Sequence, residues 1–183
     1  MEEKKYVSMA RKVHPSKQMS EASSSNQARP SPSNENFEAE CLEAHNRYRE
    51  IHGTPPMTLS RELCKFASDW AGKLAREDKF QHRPNNKYGE NIFMKWSSNT
   101  NETISGQEVV ESWYNEINDH EFDKEPQRLI KSVHFTQVIW KATNELGVAK
   151  KQSGKGNFIV VANYNPCGNT IGEFIENVPS KKA

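Results

Sequence analysis

The sequence predicts a mixed α+β domain, a short sheet with helices above and below it. Three observations predict this class. The run Phe158 to Ala162 is apolar on consecutive residues, so both faces of that strand should be covered. Segments opening near residues 36, 60 and 105 carry apolar residues at helical spacing. ENIFMKW, from Glu90 to Trp96, alternates as a strand does. A doubly covered strand and several helices, each with one stripe to bury, stack naturally as layers.

At 183 residues the chain suits one domain with room for a tail. Mean hydropathy is -0.93 and 27% of residues are charged, so part of the chain should stay outside the core. The formal net charge of +1 supplies no field for nucleic acid, and no such partner is expected. The three cysteines, Cys41, Cys64 and Cys167, are odd in number without CxxC spacing and read as reduced thiols. The opening MEEKKYVSMARKVH lacks the apolar run of a secretory signal, and Glu2 stands where N-myristoylation needs glycine. The expected address is therefore cytoplasmic.

Residues 1–33, rich in Ser, Pro and Asn, read as a disordered tail. The folded domain is expected over 34–178, followed by a basic tail over 179–183 with Lys181 and Lys182. Its first helix places Phe37, Cys41, Ala44 and Tyr48 on one side, with Asn36 as cap and Gly53 as stop. A second helix, from about Ser60 to Asp78, buries Leu63, Phe66, Ala67, Trp70, Leu74 and Ala75. The loop FQHRPNNKYGE then carries His82, and Gly89 is expected to allow an unusual turn into the strand that begins at Glu90. Ser105 and Glu108 form a capping box for a third helix with Val109, Val110, Trp113 and Ile117 on its apolar face. Glu116 falls at the border of that face, where a carboxylate must be paired or hydrated in a cleft.

HEFDKEPQRLIKS reads as an irregular connection. His134 then opens a short helix with Phe135, Val138, Ile139 and Trp140 on its apolar ridge. LGVAKK and FIVVANYN, joined by SGKG, form a hairpin, and PCGNTIGEFIENV should wrap the body.

Common catalytic signatures are absent. HEFDK at 120–124 has Lys124 where a zinc metalloprotease would place its second histidine, and there is no GxSxG elbow, Walker loop or dinucleotide fingerprint. Cys167, in a Pro-Cys-Gly turn, reads as a plain turn thiol.

VHFTQVIWKATNELG resembles the first signature of the CAP superfamily (cysteine-rich secretory, antigen 5 and pathogenesis-related proteins), and VVANYNPCGN resembles the second. AHNRYR, YGENI and WYNEI match further blocks in the family's order, so the resemblance spans roughly residues 35 to 178. It implies a three-layer α-β-α sandwich with a small, mainly antiparallel sheet and a central cleft. The family's tetrad of two histidines and two glutamates falls on His82, Glu90, Glu116 and His134. Ala162 stands where secreted members have a disulfide cysteine, and Val133 precedes His134 where the family usually has Gly or a charged residue. The missing cysteines make the chain similar to the intracellular branch, which includes Golgi-associated and venom-allergen-like proteins.

The resemblance implies that His82 and His134 bind a divalent metal such as zinc weakly, with Glu90 and Glu116 supporting. It also implies a non-catalytic binding or scaffolding protein at lipid or anionic membrane surfaces, peripheral at the Golgi or other membranes. A homodimer and a protein partner are further expectations from the family. Trp113, Tyr114, Phe122 and Phe135 offer ligand contacts or ordinary core, and Lys150, Lys151 and Lys155 offer contacts to phosphate headgroups or a solvated loop. The alternative is a metal-dependent, protease-like hydrolase in which Glu90 and Glu116 carry the chemistry.

Overall fold

A computed structural model describes residues 10–13, 34–99, 102–128 and 130–182, with side chains described from residue 35 onward. Helix α1 spans Asn34–His52, beginning two residues before the expected cap. Helix α2 (Arg61–Glu77) lies within its expected bounds: the Ser60 side chain accepts from the Leu63 amide and Asp78 closes the helix in the left-handed region. Strand β3 (Gly89–Trp96), helix α3 (Gly106–Tyr114), helix α4 (Val133–Ile139), strands β4 (Glu145–Gln152) and β5 (Asn157–Asn165), and the short helix α5 (Phe174–Asn177) complete the expected elements.

Two edge strands were not legible. β1 (Ala10–Val13) pairs parallel with β3, and the two-residue β2 (Thr58–Leu59) pairs parallel with β4. The sheet order is β1-β3-β5-β4-β2, and its centre, β3-β5-β4, is antiparallel. Apart from the backbone of Ala10–Val13, the expected N-terminal tail lies outside the described residues. Residues 179–182 do not hang free: the Lys182 amide donates to Ile51 O (2.9 Å) and the His52 ring to Pro179 O (2.7 Å).

The layers follow from strand alternation. Ile92, Ala149, Ile159 and Val161 face α2, where they meet Ala67, Trp70, Ala71 and Leu74. Phe93, Val148, Val160 and Tyr164 face the opposite way, into a larger core built with α1, α3 and α4. The consecutive apolar residues of β5 are thus divided between two cores, as a doubly covered strand requires.

Two expectations need correction. Helix α3 ends at Tyr114, and a tighter 3-10 turn over Asn115–Asp119 carries Glu116 and Ile117. The tightening turns Glu116 inward to a buried position that a continued α-helix would have left at the border. Gly89 is not among the glycines with positive φ. Its need is space, because a Cβ there would lie 2.3 Å from Gln137 Oε1 of α4. Lys150 is turned inward, donating to Ile104 O (3.0 Å) with its ammonium over the Phe37 ring, and Lys155 pairs with Asp78 (2.7 Å). Lys150 is thereby half-buried, whereas Lys155 remains exposed.

Candidate functional site

All four sequence-predicted residues gather at the start of β3, as two His–Glu pairs. His82, on the loop after α2, meets Glu90 through Nδ1 (2.8 Å to Oε1). Glu90 also accepts from the Arg83 amide (3.0 Å), Asn86 Nδ2 (3.1 Å) and Asn163 Nδ2 (3.4 Å). The next residue, Asn91, donates to the backbone carbonyl of His134 (3.1 Å). His134, in the first turn of α4, has its own carboxylate. Glu116 Oε1 takes Nδ1 (2.8 Å), and Oε2 accepts the amides of His134 (3.0 Å) and Phe135 (3.4 Å). Glu116 therefore caps α4 from another element and orients its histidine in the same contact.

An ionised carboxylate only accepts, so each Nδ1 carries the proton it shares with its glutamate. In the neutral ring the lone pair then sits on Nε2. For His134 that atom is buried and has no hydrogen-bond partner among the described residues, and the ring lies parallel to Trp113, with centroids 6.5 Å apart. This is the carboxylate–histidine arrangement that prepares an imidazole to bind a metal. Among the described residues, however, no group of three or more His, Cys, Asp or Glu is set to hold one ion. Each imidazole is of the kind that ligates zinc, with its glutamate placed behind it as a support.

A seven-residue helix is too short to hold itself, and α4 is held at both ends. Opposite Glu116, the fully buried Arg49 of α1 donates to Val138 O (3.2 Å) and Trp140 O (2.8 Å), and also to Pro55 O and Thr143 O (both 2.7 Å). Burial lowers its pKa to about 10, which leaves it charged at neutral pH. Its charge is met by carbonyl dipoles at a helix C-terminus, where a cation is favoured.

Sequence reading missed Arg49, His45, Asn91 and Asn163. Cys41, His45, Arg49 and His52 recur at helical spacing on the buried face of α1, and that periodicity was the available signal. Nothing in the spacing marks Asn91 or Asn163, which act through pairing of β3 with β5.

Beside α4, the 119–132 connection lines a cavity of about 690 Å³. Lys124, Arg128 and Lys131 are among its lining residues, with His120 and the buried Ser132 hydrogen-bonded to each other (3.0 Å). Behind His120 lie Phe122 (4.7 Å between centroids) and Phe135 (5.3 Å). Burial lowers the His120 pKa to about 4, so the ring is neutral at physiological pH. No helix among the described residues is long and apolar enough to cross a membrane.

Comparison with known proteins agrees with this fold. Residues 42–164 match the model of the cysteine-rich secretory protein (CAP) family. The chain is 38% identical over 152 residues to human Golgi-associated plant pathogenesis-related protein 1, covering 80% of this chain and 95% of that one. It is 32% identical over 141 residues to tobacco pathogenesis-related protein 1C, covering 76% of this chain and 80% of that one. Among solved structures, NaASP2 with Zn2+ superposes with a TM-score of 0.63 at 23% identity, covering 84% of this chain and 91% of that one. BmVAL-1 superposes with a TM-score of 0.62 at 21% identity, covering 86% and 89%. Sequence and fold agree, and the chain belongs to the CAP family.

Proposed function

We propose that this CAP domain is a non-catalytic binding or scaffolding protein that works at lipid surfaces, with a His/Glu cleft that takes a divalent metal weakly. The observation that carries the non-catalytic reading is how fully the two carboxylates are engaged. Glu90 accepts from one ring and three other donors, and Glu116 from one ring and two amides. A general base needs a lone pair open to the proton it removes. Carboxylates committed in this way orient and brace.

His82 and His134 would hold the metal, which when bound would supply positive charge to the cleft. The solved relative named with Zn2+ supports this choice of ion. Lipid-surface binding is supported by the cavity of the 119–132 connection, where Arg128 and Lys131 stand with Lys124, itself paired to Glu121, among the carboxylates of Asp119 and Glu125, with aromatic rings behind. The name of the Golgi-associated human relative is consistent with a peripheral membrane address.

Zinc titrated by calorimetry into chelator-stripped protein, wild type beside His82→Ala/His134→Ala, tests the cleft. Saturable binding lost in the double variant is expected, with no turnover of peptide or ester substrates by the zinc-loaded wild type. Turnover that the double variant loses while staying folded would establish the hydrolase instead.

A further inference from the structure

We propose that Asn91 is a positioning residue that aims the His134 ring, held to this task by a buried chain running through Tyr164 to His45. The inference rests on the reading of His134 as a metal ligand given above. It concerns residues outside the His/Glu tetrad.

The chain has four links. His45 Nδ1 meets Cys41 O (2.7 Å), and His45 Nε2 meets the Tyr164 hydroxyl (2.9 Å). Asn91 Nδ2 meets that same hydroxyl (3.2 Å) and the carbonyl of His134 (3.1 Å). Cys41, His45, Asn91, His134 and Tyr164 are all buried, so water does not compete for these groups.

The direction of every proton is determined. A carbonyl only accepts, so His45 donates from Nδ1 to Cys41 O. Burial keeps the His45 ring neutral, with its pKa lowered to about 4, so Nε2 must accept. Tyr164 therefore donates its one proton to His45 and is left to accept from Asn91. The Asn91 amide has two protons: one goes to Tyr164 and the other to His134 O. Turning the amide over would set its oxygen against the His134 carbonyl, and a Tyr164 proton already spent on His45 could not meet it. Asn91 thus has one orientation, set from α1 by way of β5.

The consequence falls on His134. Glu116 holds its amide and its Nδ1, and Asn91 holds its carbonyl. With three points fixed, the direction of the unpartnered Nε2 is fixed as well. Groups that orient a metal ligand from behind change affinity by about 10–100-fold when removed.

The test uses the full chain and zinc ion as probe, comparing wild type, Asn91→Leu, Tyr164→Phe and the double variant. Asn91→Leu should bind zinc at least ~10-fold more weakly. Tyr164→Phe should show a smaller loss. The double variant should be no weaker than Asn91→Leu, because Tyr164 acts only through Asn91. A second readout needs no metal: by 15N NMR, the His134 Nδ1 proton should exchange faster in folded Asn91→Leu than in wild type. A folded Asn91→Leu with wild-type zinc affinity and wild-type exchange overturns the proposal, as does strict additivity in the double variant. A wild type that binds no zinc overturns the metal reading alone, and the exchange rate then decides the positioning. Should Asn91→Leu fail to fold, Tyr164→Phe, which loses one oxygen, carries both readouts, and wild-type values in it overturn the proposal.

Discussion

At the scale of single residues, the polar groups of α1 do more for the site than its charged exterior suggests. Arg49 is the clearest case. Arg49→Met keeps much of the volume but strands carbonyls of Pro55, Val138, Trp140 and Thr143 without their donor. The expected loss is about 3 kcal/mol or more in urea unfolding, and a variant as stable as wild type would contradict the assignment. His45 gives a pH dependence. Its folded pKa of about 4 lies below the ordinary 6.5, so the unfolded chain takes up the proton first as pH falls. Its contribution to stability is full above 6.5, is lost as pH drops from 6.5 toward 4, and changes little below that. His120 acts in the same direction over the same window. The thermal midpoint should fall by roughly 5 °C or more between pH 7 and pH 4.5, less steeply in His45→Gln; identical profiles would remove His45 from the account.

At the scale of elements, close approach is the controlling feature. A Cβ on Gly147 would lie 2.1 Å from the Leu63 carbonyl carbon and 2.2 Å from its Cβ, so β4 and the first turn of α2 touch through a missing side chain. Gly147→Ala must push α2 away, at a cost of about 1–3 kcal/mol. An unchanged melting temperature would mean that this contact is loose. Element identity was largely legible, because Leu63, Ala67, Trp70 and Leu74, or Ile92 against Phe93, carry their period in one short stretch. What was illegible depended on contacts distant in sequence. The end of α3 at Tyr114, and with it the inward turn of Glu116, is coupled to the α4 amides 18 and 19 positions later. β2, at two residues, is too short to have a period. His82, Glu90, Glu116 and His134 stood out as a set through resemblance to a family. Asn91 and Tyr164 lay inside the same quoted blocks, but their roles appear only once β3 and β5 are paired.

At the scale of the whole molecule, one sheet end collects the His–Glu pairs, and α4 joins that corner to the cavity of the 119–132 connection. Ser132 lines the cavity, and His134, two residues on, sits buried in the first turn of α4. We propose that this chain binds at lipid surfaces through that side of the fold. The most direct test is flotation with phosphatidylcholine vesicles, with and without phosphatidylserine. Wild type would be run beside the charge-reversed Lys124→Glu/Arg128→Glu/Lys131→Glu variant. Wild type should float with the anionic vesicles, salt should weaken the association, and the variant should stay behind while folded. Equal flotation of both proteins, or of neither, would contradict it.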